Sequence, residues 1–212
     1  MNRSSKFRIV VLASLLIIVS SASVCAQQFA SGSSRASTLP TVSTISTLYS
    51  NDPIARTLCL TDGREGGSLQ NGGVYNRCSH VEFDSYRLGH LSVGIQGGEL
   101  AKIVDLGTAK ELSKLYGYEE TGGNGQGFAS IAFRDGKIVI AKTLYKPERQ
   151  ELTQAAQLFE RGDSSASAEA KAGHIYLARI TDRHDKSFQI LVKVLVLSAK
   201  PGESVTFRWE LL

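Results

Sequence analysis

The segment TDRHDK, residues 181–186, brings together side chains that can do chemistry. Two carboxylates and an imidazole can bind a divalent metal ion or transfer protons. Aspartates in turns also accept hydrogen bonds from nearby backbone amides, so the same segment is typical of a solvent-exposed turn held by Asp182 or Asp185. We favour the turn and keep a metal or catalytic site as the alternative. The candidate ligands of that site are Asp182, His184 and Asp185.

The segment TGGNGQG, residues 121–127, is the second candidate because it contains four glycines. Loops that bind phosphate follow a strand and open a helix, whose N-terminus attracts the anion. Here a predicted helix comes before the glycines and a predicted strand after them, and no Gly-Lys-Ser/Thr triplet of a P-loop follows. The pattern therefore indicates a mobile connection rather than a phosphate site.

Aromatic and acidic residues next to these glycines make this region the first place to look for a ligand. The backbone amides could bind a small anion or a sugar, and an aromatic ring and two carboxylates lie beside them in the sequence. The alternative is that one tyrosine packs on the sheet while the acidic side chains face water. The candidate ligand-binding residues are Tyr116, Tyr118, Glu119, Glu120, Gly123, Asn124 and Gly125.

Cys59 and Cys78 are the two cysteines that remain if an N-terminal signal sequence is removed. The closely spaced histidine pair that accompanies such cysteines in a zinc finger is missing from the sequence. In an oxidising compartment the expected state is a disulfide, and closing this loop would stabilise the fold by about 3 kcal/mol. We therefore predict a disulfide between Cys59 and Cys78 rather than a metal site.

Common catalytic and cofactor motifs are absent from the sequence. The chain contains no G-x-S-x-G, H-E-x-x-H or C-x-x-C motif and no calcium loop of the EF-hand type. The residues of a catalytic triad can be dispersed along a chain, so these absences disfavour an enzyme without excluding one. No cofactor is expected.

The N-terminus has the order of a secretory signal peptide. Basic residues come first, an apolar run covers residues 9–19, and small residues lead to Ala26. We therefore predict a signal peptide over residues 1–26 and a secreted or periplasmic protein. The apolar run is shorter than the roughly 20 residues that cross a bilayer, so no membrane span is expected after cleavage. Lipid attachment at Cys25 is less favoured, because Val24 is a poor match to the small residue that a lipoprotein signal has there.

The charge gives no reason to expect a nucleic-acid partner. The chain has 24 basic and 20 acidic residues, and three of the basic ones lie in the predicted signal peptide. Cleavage would leave 21 basic against 20 acidic side chains, a net charge of +1. A nearly neutral domain lacks the basic excess of a protein that binds nucleic acid.

Composition divides the rest of the chain into a spacer and a domain. Serine and threonine dominate residues 27–52, and such a segment buries too little apolar surface to offset its ordering entropy, so we predict a flexible spacer. The β-branched residues between 42 and 49 leave an initial strand open as the alternative. Residues 53–212 are enough for a single disulfide-bonded domain with one core.

The last third of the chain predicts a three-stranded antiparallel meander. Residues 204–211, SVTFRWEL, alternate apolar and polar side chains, which indicates a strand with one face in water. Residues 188–197 are apolar on both faces except at Gln189 and Lys193, and they predict the middle strand of a covered sheet. Residues 174–181 precede them across a polar turn.

The middle of the chain predicts further hairpins and two short helices. Strands are expected at residues 80–86, 91–96, 99–106, 128–133 and 137–142. Asp135-Gly136 suits a tight hairpin turn. One helix should begin at Thr108, whose capping box with Glu111 is complete, and the second should run from Pro147 to Gly162. With seven or eight strands in all, the predicted fold class is α+β with a mainly antiparallel sheet.

These observations favour an exported, non-enzymatic domain that binds an unknown protein or small-molecule partner through its loops. The first alternative is an exported hydrolase or metal-dependent enzyme that uses Asp182, His184 and Asp185. The second alternative is a structural protein of an envelope or matrix.

Overall fold

A computed structural model describes residues 44–53, 55–64, 78–116, 126–141, 148–160 and 166–212 of the chain. All of them belong to one compact unit, Thr38–Leu212. The predicted signal peptide and most of the predicted spacer lie outside the described residues. In the described part of the chain, no helix is long and apolar enough to span a membrane.

The described residues form twelve strands, two α-helices and one 3₁₀ helix. The strands are β1 Thr44–Tyr49, β2 Thr57–Leu58, β3 Val81–Phe83, β4 His90–Val93, β5 Glu99–Thr108, β6 Ile131–Arg134, β7 Lys137–Ala141, β8 Arg149–Glu151, β9 Ser167–Glu169, β10 His174–Asp182, β11 Gln189–Lys200 and β12 Ser204–Leu211. The helices are α1 Ala109–Tyr116, α2 Gln126–Ser130 and the 3₁₀ helix Thr153–Phe159.

Three antiparallel sheets account for these strands. The largest has the order β1-β12-β11-β10-β5, the second the order β2-β3-β4-β9, and the third the order β6-β7-β8. Strands β10, β11 and β12 pair in succession as the predicted meander. The predicted α+β class with a mainly antiparallel sheet is therefore confirmed.

Two apolar clusters lie on opposite faces of the five-stranded sheet. Tyr176, Ala178 and Ile180 of β10 pack with the buried residues of β2, β3 and β4. The alternate residues Ile175 and Leu177 pack with α1, α2, the three-stranded sheet and the 3₁₀ helix. Because successive side chains of a strand point to opposite faces, this alternation buries the middle of β10 and β11 on both sides.

Two short-range predictions from the sequence, a capping box and a tight hairpin turn, are confirmed. The backbone N–H of Glu111 donates to Thr108 Oγ1 at 3.3 Å, and that of Thr108 donates to Glu111 Oε2 at 2.7 Å, which is the predicted capping box. Asp135 and Gly136 have φ angles of 50° and 77°. Both are left-handed, as a tight hairpin turn requires.

The start of the fold differs from the predicted spacer. Residues 44–49 form β1 along the edge of the five-stranded sheet, which was the alternative for this segment. Leu48 is fully buried, and Trp209 Nε1 donates a hydrogen bond to Ser46 Oγ at 3.0 Å. Pairing with β12 orders a segment whose serine- and threonine-rich composition favoured a flexible spacer.

The predicted second helix is wrong in its bounds and in its type. Within the described residues, its range contains β8 and the 3₁₀ helix instead. Leu152, Ala155 and Leu158 are buried, whereas Ala156 and Phe159, which would share their face in an α-helix, are exposed. A buried residue at every third position matches the three-residue turn of a 3₁₀ helix.

The predicted strand 128–133 begins three residues later than expected. Residues 126–130 form α2, and β6 starts at Ile131. Phe128 and Ile131 are both buried at this junction. A helical turn brings residues three apart to one side, so both side chains reach the same core.

Candidate functional site

Tyr116 is the one predicted ligand-binding residue of the glycine region that the structure describes. Its side chain is buried in the core beneath α1, and its hydroxyl lies 3.4 Å from Thr153 Oγ1. This placement matches the alternative in which one tyrosine packs on the sheet. The other predicted residues lie outside the described residues, namely Tyr118, Glu119, Glu120, Gly123, Asn124 and Gly125.

The acidic turn after β10 is held by its own carboxylates. Asp182 Oδ1 accepts hydrogen bonds from the backbone N–H of His184 at 2.6 Å and of Asp185 at 3.0 Å. Asp185 Oδ1 accepts from the hydroxyl of Ser187 at 2.6 Å and from its backbone N–H at 2.9 Å. Hydrogen bonds from Asp185 and His184 lower the pKa of Asp182, and those from Ser187 lower the pKa of Asp185. Both carboxylates therefore have a structural role in the turn.

The predicted metal ligands do not form a compact ligand set. Among the described residues, the group of three or more potential ligands that could hold a metal ion is Cys59, Cys78 and His80. The search of these residues gives no such group at Asp182, His184 and Asp185. The exposed turn is thus a poor metal site, and the potential ligands lie elsewhere.

The predicted disulfide between Cys59 and Cys78 is present. Their Cα atoms are 4.8 Å apart. Cys59 directly follows β2 and is buried, whereas Cys78 is partly exposed and lies shortly before β3. The bond therefore links the chain at the end of one strand to the chain that enters its antiparallel partner.

His80 is buried against this disulfide, with 2% of its surface exposed. Its Nδ1 accepts a hydrogen bond from the backbone N–H of Leu60 at 2.9 Å, and its Nε2 lies 3.6 Å from Glu99 Oε1. Backbone hydrogen bonds to Leu58 and from Gly94 fix the position of His80 between β2 and β4. The acceptor role of Nδ1 places the proton of the neutral imidazole on Nε2, facing Glu99.

Glu99 opens β5, and its carboxyl group is buried beside His80. Burial, with a smaller contribution from the charge of Asp182, raises the pKa of Glu99 to about 7. A hydrogen bond from the backbone N–H of Gln96 partly opposes this rise. Burial also lowers the pKa of His80, against the attraction of Asp62. Burial thus favours the neutral form of both groups.

The acidic turn lies next to this pair because of the strand register. Asp182 of β10 is the Cα partner of Glu99 in β5. A Cβ atom added to Gly98 would lie 3.2 Å from the His184 ring and 3.3 Å from Asp182 Oδ2, so the turn packs directly on Gly98. We call Cys59, Cys78, His80 and Glu99 the His80 cluster. It combines sulfur, imidazole and carboxylate ligands at one end of the molecule.

Sequence reasoning missed His80 and Glu99 as functional candidates. The Cys78-x-His80 spacing was a usable signal, because two ligands separated by one residue of an extended chain lie on the same side. Glu99 carried no local signal. The pairing of β5 with β10 places Glu99 next to the turn, and the approach of β4 to β5 at Gly94 places it next to His80.

Two other histidines make polar pairs elsewhere. His174 Nδ1 lies 2.9 Å from Asp105 Oδ1, and the ammonium of Lys171 lies 4.0 Å from the same carboxylate. His90 Nδ1 lies 3.3 Å from Ser167 Oγ. Each pair joins neighbouring strands across a partly exposed surface, which is consistent with a structural role.

A different end of the molecule exposes large apolar side chains. Tyr86 is 73% exposed, Leu88 67% and Tyr49 51%. Leu88 lies near Gly202 and Gly89 near Pro201, while Tyr49 pairs with Ser204. These contacts place Leu88 and Tyr49 around the turn between β11 and β12, and Tyr86 lies two residues before Leu88 in the same loop. We call Tyr49, Tyr86, Leu88 and Pro201 the turn-end surface.

Comparison with protein-family models, with curated proteins and with solved structures finds no match to this chain. Its function therefore has to be inferred from its own residues. The two features that carry such an inference are the turn-end surface and the His80 cluster.

Proposed function

We propose that this protein acts outside the cytoplasm as a non-enzymatic binding domain that docks a partner protein on the turn-end surface. The order of basic, apolar and small residues at the N-terminus supports export. The Cys59–Cys78 disulfide supports an oxidising compartment. The exposure of Tyr86 and Leu88 on a tethered loop carries the proposal.

The loop that presents these two side chains is held by hydrogen bonds. Asp84 Oδ1 accepts from the backbone N–H of Gly89, and Asp84 Oδ2 accepts from that of Gly202 at 2.7 Å. Asp84 itself has a φ of 61°, a strained conformation for a residue with a side chain. A loop fixed in this way loses little conformational entropy on binding, which favours affinity.

The chemistry of the turn-end surface fits a protein partner. Tyrosine is enriched in protein interfaces, because its ring buries a large apolar area while its hydroxyl finds a hydrogen-bond partner. Contiguous exposed apolar side chains are uncommon on monomeric proteins without a binding role. The partner surface should therefore offer an apolar pocket for Leu88 and an acceptor near the Tyr86 hydroxyl.

The enzyme alternative has less support than the binding domain. Asp182 and Asp185 would have to act as catalytic groups while each accepts hydrogen bonds from its own turn. A low pKa keeps both ionised, so neither is suited to donate a proton near neutral pH.

Crosslinking and matched variants test the docking proposal. A photo-crosslinking phenylalanine analogue at Tyr86 should capture a partner in the extracytoplasmic fraction, and the purified partner should then bind the chain in calorimetry. The double variant Tyr86→Ser, Leu88→Ser should weaken this binding at least about 30-fold, as expected for central interface residues.

Leu115 provides the control, because it is 61% exposed on α1, which packs on the face of the five-stranded sheet opposite to β3 and β4. Leu115→Ser should leave the dissociation constant unchanged. Equal partner affinities of the double variant and the wild type would rule out the turn-end surface as the docking site.

N-terminal sequencing tests the export proposal. The sequence of the exported protein should begin at Gln27, and a chain that keeps Met1 would contradict export by signal cleavage.

A further inference from the structure

The His80 cluster has the donor atoms of a metal site. The two sulfur atoms and a ring nitrogen of His80 all lie within 4.8 Å of one another. In a tetrahedral zinc site with bonds of about 2.0 to 2.3 Å, neighbouring ligand atoms are separated by about 3.5 to 3.8 Å. The farthest pair would have to approach by about 1 Å, and the two sulfur atoms, which are bonded in the disulfide, would have to separate by roughly 2 Å after reduction.

The hydrogen bonds of His80 select its metal-binding nitrogen. The Nε2–H faces the Glu99 carboxyl group at 3.6 Å, whereas the Nδ1 lone pair is directed at the backbone N–H of Leu60, next to Cys59. A histidine that binds a metal through one nitrogen usually donates its other N–H to a carboxylate, which fixes the ring. Nδ1 is thus the ligand atom, and Glu99 is a positioning residue.

We propose that, when the disulfide is reduced, Cys59, Cys78 and His80 bind one Zn²⁺ ion, so that disulfide and metal are alternative states of one site. Thiolate and imidazole are the ligands that zinc prefers. Two thiolates balance the charge of the ion, which matters at a site where Cys59 and His80 are buried. Partly exposed Cys78 gives the ion access from solvent.

The redox step needs a dithiol reductant. The dithiol transfers two electrons and two protons to the disulfide, which gives the thiols of Cys59 and Cys78 and the oxidised, cyclic form of the reductant. Zn²⁺ then displaces the two thiol protons into water. His80 keeps its Nε2 proton, and the Leu60 N–H gives up its hydrogen bond to Nδ1. Three protein ligands leave a fourth position for water.

Cobalt binding tests the proposal, since Co²⁺ occupies zinc sites and its thiolate complexes absorb light. The full chain reduced under argon should bind one Co²⁺ ion with a thiolate-to-cobalt absorption band, and Zn²⁺ should displace it. The oxidised chain and the Cys59→Ser, Cys78→Ser variant should show no such band. Binding that is equal in the oxidised and reduced chains would overturn the proposal.

His80→Asn separates a three-ligand site from a simple thiol pair. An asparagine oxygen can keep the hydrogen bond to Leu60 but is a weak zinc ligand. Cobalt affinity should fall at least about tenfold, the lower limit for loss of a supporting group around a metal. His90→Asn is the matched control and should leave the affinity unchanged. Equal affinities for His80→Asn and the wild type would refute the role of His80.

Glu99→Gln tests the positioning role. The variant should weaken cobalt binding by about 10- to 100-fold while it keeps one ion per chain and the same absorption band. Unchanged cobalt affinity would remove Glu99 from the proposal.

The reduced chain could unfold before it binds metal, and circular dichroism detects this. In that case, adding Zn²⁺ to the reduced wild type should restore the spectrum of the folded protein. Failure to restore it would overturn the proposal.

Discussion

Lys193 is a cation in the middle of β11 with 2% of its side chain exposed. Its ammonium lies 3.2 Å from Glu210 Oε1, donates to the carbonyl of Ile131 at 2.9 Å and sits 4.7 Å from the centre of the Phe128 ring. These contacts connect the central sheet to α2 and β6. The pKa of Lys193 is lowered by burial, and the Glu210 carboxylate opposes this effect.

Lys193→Met should destabilise the protein, because it removes one partner of a buried pair and leaves Glu210 without its cation. The free energy of unfolding should fall by about 2 to 3 kcal/mol, as measured by urea denaturation. Adding Glu210→Gln should recover part of this loss. The control is Lys200→Met in the exposed pair with Glu203, where less than about 1 kcal/mol is expected. If both lysine variants lost the same free energy of unfolding, burial would not explain the effect at Lys193.

Glu99 should make the stability depend on pH. Its folded pKa is about 7, above the ordinary value of 4.5. Folding therefore takes up a proton between these values, so the contribution of Glu99 to stability falls as the pH rises from 4.5 and reaches its minimum above pH 7. Glu99→Gln does not titrate. The stability of this variant relative to the wild type should rise by about 1 to 2 kcal/mol from pH 5 to pH 8, allowing for solvent screening.

Urea denaturation of both proteins at the two pH values measures this difference. The comparison isolates Glu99, because the other titrating groups are common to both proteins. His80 acts in the opposite direction, since its lowered pKa favours the fold at higher pH. A constant difference between variant and wild type would contradict a raised pKa at Glu99.

At the level of elements, two glycines show which turns depend on tertiary contact. Gly136 in the turn between β6 and β7 has a φ of 77°, and a Cβ atom there would meet nothing within 4 Å. Gly94, just after β4, has a φ of 66°, and its Cβ would lie 2.4 Å from the Cβ of Ala101 in β5. Gly94 thus allows the close approach of β4 and β5, which positions Glu99.

Gly94→Ala should cost about 2 to 4 kcal/mol, because left-handed strain adds to a clash with the Cβ of Ala101. Gly136→Ala is the matched control and should cost about 1 to 2 kcal/mol from strain alone. Thermal and urea denaturation of the two variants would measure both effects. Similar losses would mean that Ala101 moves away at little cost.

Element types followed the local pattern where one face was clearly apolar. The alternation Val205, Phe207 and Trp209 predicted β12 correctly, since all three are buried. The apolar residues after Pro147 predicted a helix with a 3.6-residue period, which was wrong. Burial of Leu152, Ala155 and Leu158 instead follows the three-residue period of the 3₁₀ helix.

At the level of the whole molecule, the disulfide of the His80 cluster links the chain after β2 to the chain before β3 in the second sheet. Cys59→Ser with Cys78→Ser should lower the free energy of unfolding by about 3 kcal/mol, because the unfolded chain regains the entropy of an open loop. Urea denaturation with and without reductant provides the measurement. The reduced wild type should match the variant, and the variant should not respond to reductant. If the oxidised wild type had the same free energy of unfolding as the variant, the disulfide would have no stabilising role.

The sequence by itself determined the α+β class, the C-terminal meander, the Asp135-Gly136 turn, the capping box at Thr108 and the disulfide. Apart from the disulfide, these features depend on side-chain periodicity or on contacts within a few residues. The disulfide was predictable because two cysteines remain after the predicted signal cleavage, whereas their approach depends on the pairing of β2 with β3. The tertiary structure alone decided that β1 joins the sheet, that Lys193 is buried, and that Glu99 contacts His80. Each depends on residues distant in sequence, where burial and strand register, rather than local propensity, set the free energy.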